Sequence, residues 1–273
     1  MALQDGIITL TGSLGEIVGY KRKGKLCFRR KAKHVRRSEA TKESATDFGA
    51  ASKAGKLIRQ GVRQGLNIRT DHQLVNRLNK ELLKVLYASS EQRGFRGFKR
   101  EEIAALAGFS FNKETRLDRL LNFRPKVVQS KEGLRIALPA LTARDIRHAK
   151  NTTHIEIKVI AVGVNFNGGD YQDAVTDKVM IDFREPAAAK ELILPFKAGE
   201  EETIVVLQIT AYHEWNGSMY KLDNLKYFAA DIIDVIPSLP QEEEVNMVHQ
   251  TKTERKPLFQ LLGDHTYAVP QRE

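Results

Sequence analysis

Six strand-like segments follow one another between residues 126 and 215 with no helical pattern between them, and this order most constrains the fold. They read "KVVQ", "GLRIALP", "HIEIKVIAVGVNF", "AVTDKVMIDF", "KELILPF" and "TIVVLQITAYHEW". Asn216-Gly217 then predicts a type I′ hairpin turn, because both residues tolerate positive φ. Parallel strands need long crossover connections, so this order predicts an antiparallel β-sandwich, which we expect to be immunoglobulin-like.

The first hundred residues combine strand and helix patterns. Residues 16–32 predict two short strands joined at Lys23-Gly24. A helix is predicted from the N-cap Ser38, and a second from about Thr70, with Gln73 as its capping-box partner. The predicted apolar stripe of the first helix is Phe48, Ala51, Gly55, Ile58 and Val62. The fold class is therefore α+β: an N-terminal basic β-hairpin plus a helical pair, then the sandwich.

This pattern divides the chain into three parts. We expect a basic hairpin and helical region over 1–100, a β-sandwich domain over 101–236, and a loosely ordered C-terminal tail over 237–273. The tail carries "QEEE" and few apolar residues, a composition typical of loosely ordered termini.

The net charge of +10 is confined to one segment. Residues 20–37 contain ten cations and no acid: Lys21, Arg22, Lys23, Lys25, Arg29, Arg30, Lys31, Lys33, Arg36 and Arg37. Without them, 34 lysines and arginines remain against 34 acids, so the rest of the chain is formally neutral. Concentrated positive charge attracts polyanions, which predicts contacts with the DNA or RNA backbone. An acidic protein surface and a solvated strand edge stay as alternatives.

Three glycines open this region but do not predict a phosphate-binding loop. Gly12, Gly15 and Gly19 match neither the dinucleotide fingerprint nor a P-loop, and no strand–helix–strand unit surrounds them. We interpret them as glycines of turns and bulges in a small hairpin.

A second basic stretch, "RGFRGFKR", interleaves cations with phenylalanines. Cations and aromatic rings on a glycine-rich loop suit single-stranded nucleic acid, so this stretch joins the predicted nucleic-acid-binding set. Its predicted contact residues are Arg93, Arg96, Lys99 and Arg100. The same stretch also fits a linker anchored by Phe95 and Phe98. Residues 100–121, which follow it, have some helix-turn-helix character, but "FSFN" within them is typical of a strand start.

The sequence offers little support for catalysis, metal binding or cofactors. The seven histidines are scattered with no i, i+4 pair, and Cys27 has neither a cysteine partner nor a nearby base in sequence. We therefore expect a non-enzymatic protein with no cofactor and no metal. The chain has one cysteine, no apolar run long enough for a membrane span, and no cationic leader. These features predict a cytoplasmic protein without membrane contact.

Several motifs together resemble an uncharacterised protein family of Bacteroidota. The opening "GSLGEIVGYK" is similar to the family's G-x-x-G-x-x-x-G-Y-K segment, and "DFGAASKAGKLIRQGVR" to the helix after it. The runs "LAGFSFN", "GLRIALPAL", "THIEIKVIAVGVNF" and "NGSMYKLDN" resemble its sandwich half. The resemblance implies the hairpin and the sandwich but carries over no activity and no site residue.

We therefore expect a nucleic-acid-binding or nucleic-acid-associated protein that contacts phosphates through Lys21 to Arg37. The alternative is a structural or scaffold subunit of a larger assembly, of phage-derived or secretion type. In that case the hairpin arm would dock on a neighbouring protein, and oligomerisation is possible.

Overall fold

The computed structural model of the chain describes residues 2–3, 9–34, 36–66, 73–130, 132–196, 199 and 201–238. All described residues belong to one compact unit, which spans Met1–Pro240. The predicted tail therefore lies outside the described residues, apart from its first two positions.

The described residues contain four α-helices and thirteen strands. The N-terminal elements are β1 Ala2–Leu3, β2 Gly12–Leu14, β3 Ile17–Arg22, β4 Lys25–Arg30, α1 Glu39–Arg63, α2 Leu74–Ala88, α3 Arg100–Ile103 and α4 Leu117–Leu120. The later strands are β5 Val127–Ser130, β6 Gly133–Leu138, β7 His154–Asn165, β8 Asp170–Tyr171, β9 Val175–Asp182, β10 Lys190–Leu194, β11 Glu202–Trp215, β12 Ser218–Lys221 and β13 Ala229–Ile236. Single 3₁₀ turns occur at Ala104–Leu106 and Leu225–Tyr227.

The strands form three sheets in which every pairing is antiparallel. The largest has six strands centred on β11 and β7, which pair from Glu202↔Val164 to Tyr212↔His154. The other edge of β11 pairs with β13 and then β12, and the other edge of β7 pairs with β9 and then β8. A three-stranded sheet has the order β10-β6-β5, and a four-stranded N-terminal sheet has the order β1-β4-β3-β2.

The central strands β7 and β11 separate two hydrophobic cores. Ile160 and Val162 of β7 belong to a core shared with α1 and α2. Val159 and Ala161 belong to a second core shared with the three-stranded sheet. Successive side chains of a strand point to opposite faces, so both faces of β7 must be apolar. The molecule therefore has three layers: helices, the six-stranded sheet and the three-stranded sheet.

Glycines allow α1 to approach its neighbours closely. A Cβ added at Gly61 would lie 2.6 Å from Val162 Cγ2 of the central sheet, and one at Gly55 would lie 2.7 Å from Asn79 Oδ1 of α2. The absence of a side chain therefore permits this close packing at both positions. Elsewhere on α1 the predicted stripe is wrong at Phe48, whose ring is half exposed, because α1 turns Asp47 inward instead.

The predicted helix ends agree at α1 and differ at α2. The Ser38 hydroxyl accepts a hydrogen bond from the Thr41 backbone N–H at 3.3 Å, which confirms the predicted N-cap. Helix α2 begins at Leu74, and the Gln73 side chain makes no capping hydrogen bond. The predicted start at Thr70 lies outside the described residues.

The helix-turn-helix alternative for residues 100–121 is wrong. Helices α3 and α4 have four residues each, and the chain between them runs along β13. Phe111 N–H donates to the Ala230 carbonyl at 2.8 Å, and Ile232 N–H donates to the Phe109 carbonyl at 2.9 Å. The interpretation of "FSFN" as strand-like is thus correct, because the edge of the central sheet supplies its partners.

The mixed helix-and-sheet fold with antiparallel sheets is confirmed, while the immunoglobulin-like arrangement stays a prediction. The division at residue 100 also stays a prediction. Helices from the first part and strands from the second part share one core, however. Among the described residues, no helix is long and apolar enough to cross a membrane.

Candidate nucleic-acid interface

The candidate site is the basic arm, which we define as residues 12–37. Its strands β3 and β4 pair from Ile17↔Arg30 to Arg22↔Lys25 and are joined by the two residues Lys23 and Gly24. Both turn residues have positive φ, +48° and +82° respectively, as a type I′ turn requires. Glycine adopts this conformation readily and lysine does so rarely, so Lys23 occupies an unusual backbone position at the end of the arm.

The tip of the arm concentrates positive charge. Lys21, Arg22, Lys23 and Lys25 are all exposed around this turn. Arg22 and Lys25 lie directly opposite each other in the strand register. Four cations around one two-residue turn give the tip a high density of positive charge, which attracts anions.

The aromatic residues of the arm lie on opposite faces. Tyr20 pairs with Cys27 and Phe28 pairs with Gly19, so their side chains point to different sides of the sheet. The two rings therefore lie on opposite faces of the arm sheet, and its buried positions are Cys27 and Gly19. The Arg29 guanidinium lies 5.9 Å from the Tyr20 ring centroid, which places a cation and an aromatic ring on the same face.

One acid just before the basic segment changes the charge count. Glu16 forms an ion pair with Arg30 at 2.7 Å and lies 4.0 Å from Lys33. Glu16 lies outside the basic segment 20–37, but the pairing of β3 with β4 brings Arg30 next to it. Arg30 and Lys33 are therefore partly neutralised, and both remain exposed.

The last part of the arm leads into α1. Its remaining predicted contact residues, Lys31, Arg36 and Arg37, are exposed. Glu39, in the first turn of α1, forms an ion pair with Lys42 at 2.6 Å. The side chains of Lys31, Arg36 and Arg37 thus lie on the surface just before the N-terminus of α1.

The loop 91–99 fits the linker interpretation in part. Arg96 forms an ion pair with the buried Asp47 at 3.2 Å, and Gly94 N–H donates to the same carboxylate at 2.9 Å. Phe98 packs against the helical core and stacks on Phe166, with ring centroids 5.0 Å apart. Asp47 could not be predicted as the partner of this loop, because Asp47 and its partners are 47 or more positions apart.

Other residues of the loop remain at the surface. Arg93 is exposed and Phe95 is 80% exposed. Lys99 lies 3.5 Å from the Ser90 hydroxyl, and both Lys99 and Arg100, the first residue of α3, are half-buried. Arg96 and Phe98 therefore anchor the loop, whereas Arg93 and Phe95 remain exposed.

The structure brings the two predicted basic sets near each other. A Cβ at Gly94 would lie 3.2 Å from the Glu43 Cα of α1. Four residues of helix, or about 6 Å, separate Glu43 from the start of α1, where the arm ends. The loop with Arg93 is therefore adjacent to the arm segment that carries Arg36 and Arg37.

No metal site supports an alternative chemistry in the described part of the chain, where no three His, Cys, Asp or Glu side chains converge. Cys27 is buried within the arm sheet, and its Sγ donates to the Lys25 carbonyl at 3.7 Å. His154 lies 3.6 Å from Asp182 at one end of the central sheet. There the Arg184 guanidinium, which hydrogen-bonds Asp182, lowers the pKa of that carboxyl to about 2.

Buried charges also occur in the body of the protein, which we define as residues 39–238. Asp231 on β13 is 5% exposed, and burial raises the pKa of its carboxyl above 3.8, although Leu117 N–H donates to Oδ2 at 2.9 Å. Glu156 is buried beside Lys178 at 3.1 Å and Lys158 at 3.8 Å. These groups lay in segments that looked like ordinary strands, so periodicity alone could not single them out.

Comparison with known proteins adds no candidate residue to this site. No protein-family model matches the chain, and no curated protein matches it.

Proposed function

We propose that the protein binds the phosphate backbone of nucleic acid through the basic arm, without base specificity and without catalysing a reaction. The tip of the arm carries this proposal, because four exposed cations surround a two-residue turn and Arg22 directly faces Lys25. Lysine and arginine side chains that meet phosphates release condensed counterions, which favours binding at low salt.

The proposed contact surface continues from the tip toward the body. Lys31, Arg36 and Arg37 extend it to α1, and Arg93 lies beside that helix. Arg96 contributes less, because Asp47 already neutralises it. We propose that the body, with its predicted immunoglobulin-like sandwich, is a scaffold, and that the protein acts in the cytoplasm.

Fluorescence anisotropy with labelled duplex DNA, single-stranded DNA and RNA tests this proposal. Binding should weaken as salt rises from about 50 mM to about 200 mM. If about six arm cations meet phosphates of a duplex, the slope of log K against log salt is roughly −5. The informative variant neutralises the tip and keeps its turn: Lys21→Gln, Arg22→Gln, Lys23→Asn and Lys25→Gln together. We expect it to reduce the magnitude of the slope by about 3 to 4.

A matched control removes the same number of charges from exposed positions of the body. It combines Lys126→Gln, Arg144→Gln, Lys150→Gln and Lys190→Gln. Its slope should equal that of the unaltered protein. Equal slopes for the tip variant and the control would reject the arm as the binding surface, and no binding to any of the three probes at low salt would reject the function.

A second candidate function, a structural subunit of a larger assembly, has its own supporting observation. Among the described residues, none from 2–37 belongs to either hydrophobic core, and Leu3, Leu14 and Ile17 are exposed. Small sheets need an apolar partner surface for stability, so the arm would gain stability by docking on a neighbouring protein.

Native mass spectrometry of the full chain separates the two functions. A discrete oligomer that is lost with Leu14→Ser and Ile17→Ser, but kept in the tip variant, would favour assembly. A monomer whose nucleic-acid binding survives the apolar substitutions would favour the basic arm as the functional surface.

A further inference from the structure

A basic cleft of about 470 Å³ lies between α2 and residues 105–116. Four cations line it, Arg77 and Lys80 from α2 and Lys113 and Arg116 from the chain before α4. The one acid among its lining residues, Glu81, already forms an ion pair with Lys84 at 2.7 Å. The cleft therefore has an excess of positive charge and a volume typical of ligand sites.

The cleft is the beginning of a stripe along α2, made of Arg77, Lys80, Lys84 and Tyr87. These positions have spacings of three and four residues, so they lie on one face of the helix. Lys80, Lys84 and Tyr87 are exposed, while Arg77 is half-buried and donates to the Ser110 carbonyl at 2.7 Å. With a rise of 1.5 Å per residue, the α2 stripe is about 15 Å long.

The far end of the α2 stripe, at Tyr87, contacts Arg96 of the 91–99 loop. The Arg96 guanidinium lies 4.8 Å from the Tyr87 ring centroid, which joins the loop to the stripe. Tyr87 is 53% exposed and Phe95 is 80% exposed, so two aromatic rings project where cations also lie. Arg93, exposed in the same loop, continues the positive charge toward the end of the arm.

We infer that the nucleic acid bound by this protein is single-stranded, and that its strand follows the α2 stripe from the basic cleft to Tyr87 and Phe95. This inference rests on the proposed function and names its substrate class. Bases of a duplex stack on each other, whereas unpaired bases stack on exposed aromatic side chains. Stacked nucleotides of one strand are spaced about 3.4 Å apart, so the α2 stripe is about as long as four nucleotides.

Anisotropy with an unpaired oligonucleotide and the duplex of the same sequence tests this inference on the full chain. Tyr87→Ala combined with Phe95→Ala should weaken single-strand binding about tenfold or more and leave duplex binding unchanged. Lys80→Gln combined with Lys113→Gln should reduce the magnitude of the single-strand salt slope by about 1.4. Tyr87→Phe keeps the ring and should retain affinity.

Tyr220→Ala is the matched control, because Tyr220 on β12 is 54% exposed and lies outside the α2 stripe. It should bind single strands like the unaltered protein. Equal affinity for both probes, with no effect of the aromatic and cleft variants, would overturn the inference. If the tip variant still reduced the magnitude of the salt slope in that case, the proposed function would stand alone. If the tip variant left binding unchanged while the α2 variants weakened it, the inference would hold and the arm proposal would fail.

Discussion

The basic arm and the body of the protein differ in how far they bury their apolar residues. The body buries two hydrophobic cores on either side of β7 and β11. In the described residues the arm contributes to neither core, leaves Leu14 and Ile17 exposed, and carries the excess charge of the chain. Stability should therefore reside in the body, while the arm is free to present charges that would be unfavourable in a core.

This contrast predicts where substitutions matter most. Ile157→Ala in the core between the six-stranded and three-stranded sheets should lower the free energy of unfolding by about 2–5 kcal/mol, because it removes buried methyl groups and leaves a cavity. Ile17→Ala, the same change in the arm, should alter it by about 0.5 kcal/mol or less. Urea denaturation measures both. A large loss at Ile17 would contradict the separation, since it would mean that the arm packs as part of the folded core.

The packing of α1 within the body extends the comparison to two positions of one helix. Gly61→Ala should destabilise by roughly 1–2 kcal/mol, because its Cβ would meet Val162 and overpacking exceeds the gain in helix propensity. Gly49→Ala on the same helix meets nothing within 4 Å and should stabilise by up to about 1 kcal/mol. Thermal melts of the two variants should shift in opposite directions, and a stabilising Gly61→Ala would show that α1 can move away from the sheet.

The smallest predicted effect depends on pH and concerns a buried charge of the body. Burial raises the pKa of Asp231 above its unfolded value, so the folded state favours the protonated acid. The associated stability is present below pH 3.8 and is lost as pH rises through the folded pKa. Asp231→Asn should therefore melt higher than the unaltered protein by a margin that grows from about pH 4 to about pH 7.

An exposed carboxylate provides the control for this pH effect. Asp170→Asn on β8 makes the same substitution at an exposed position. A constant or shrinking margin for Asp231→Asn would contradict the prediction. The exposed cations of the arm should instead respond to salt, because charges in water are screened by ions.

Features set by neighbouring residues could be predicted from the sequence. Asn216-Gly217 has the positive φ expected of a type I′ turn, Lys23-Gly24 joins β3 and β4 as predicted, and Ser38 caps α1 as predicted. Each depends on a few consecutive residues, and local geometry alone decides the outcome. Phe48 is the exception: the short-range stripe predicted it buried, whereas α1 instead directs Asp47 inward to the loop that contains Gly94.

The candidate site could be predicted only in part. All ten arm cations are exposed, but two of them share Glu16, which lies outside the basic run and is reached only through the hairpin register. Arg96 was grouped with the contact residues, yet it forms an ion pair with a buried acid of α1. The α2 stripe was missed, because its cations and its tyrosine gain meaning only where the helix meets the cleft and the loop.

By itself, the sequence determined the antiparallel, strand-rich second half, the location of the excess charge and the short turns. These properties follow from composition, residue order and local backbone preference, which do not depend on distant contacts. Only the tertiary structure decided which cations are neutralised and which aromatic rings are exposed. It also decided that β7 and β11 contribute to two hydrophobic cores, one shared with the helices and the other with the three-stranded sheet. Those outcomes depend on which distant segments meet, and a contact between residues 47 and 96 leaves no local trace in the chain.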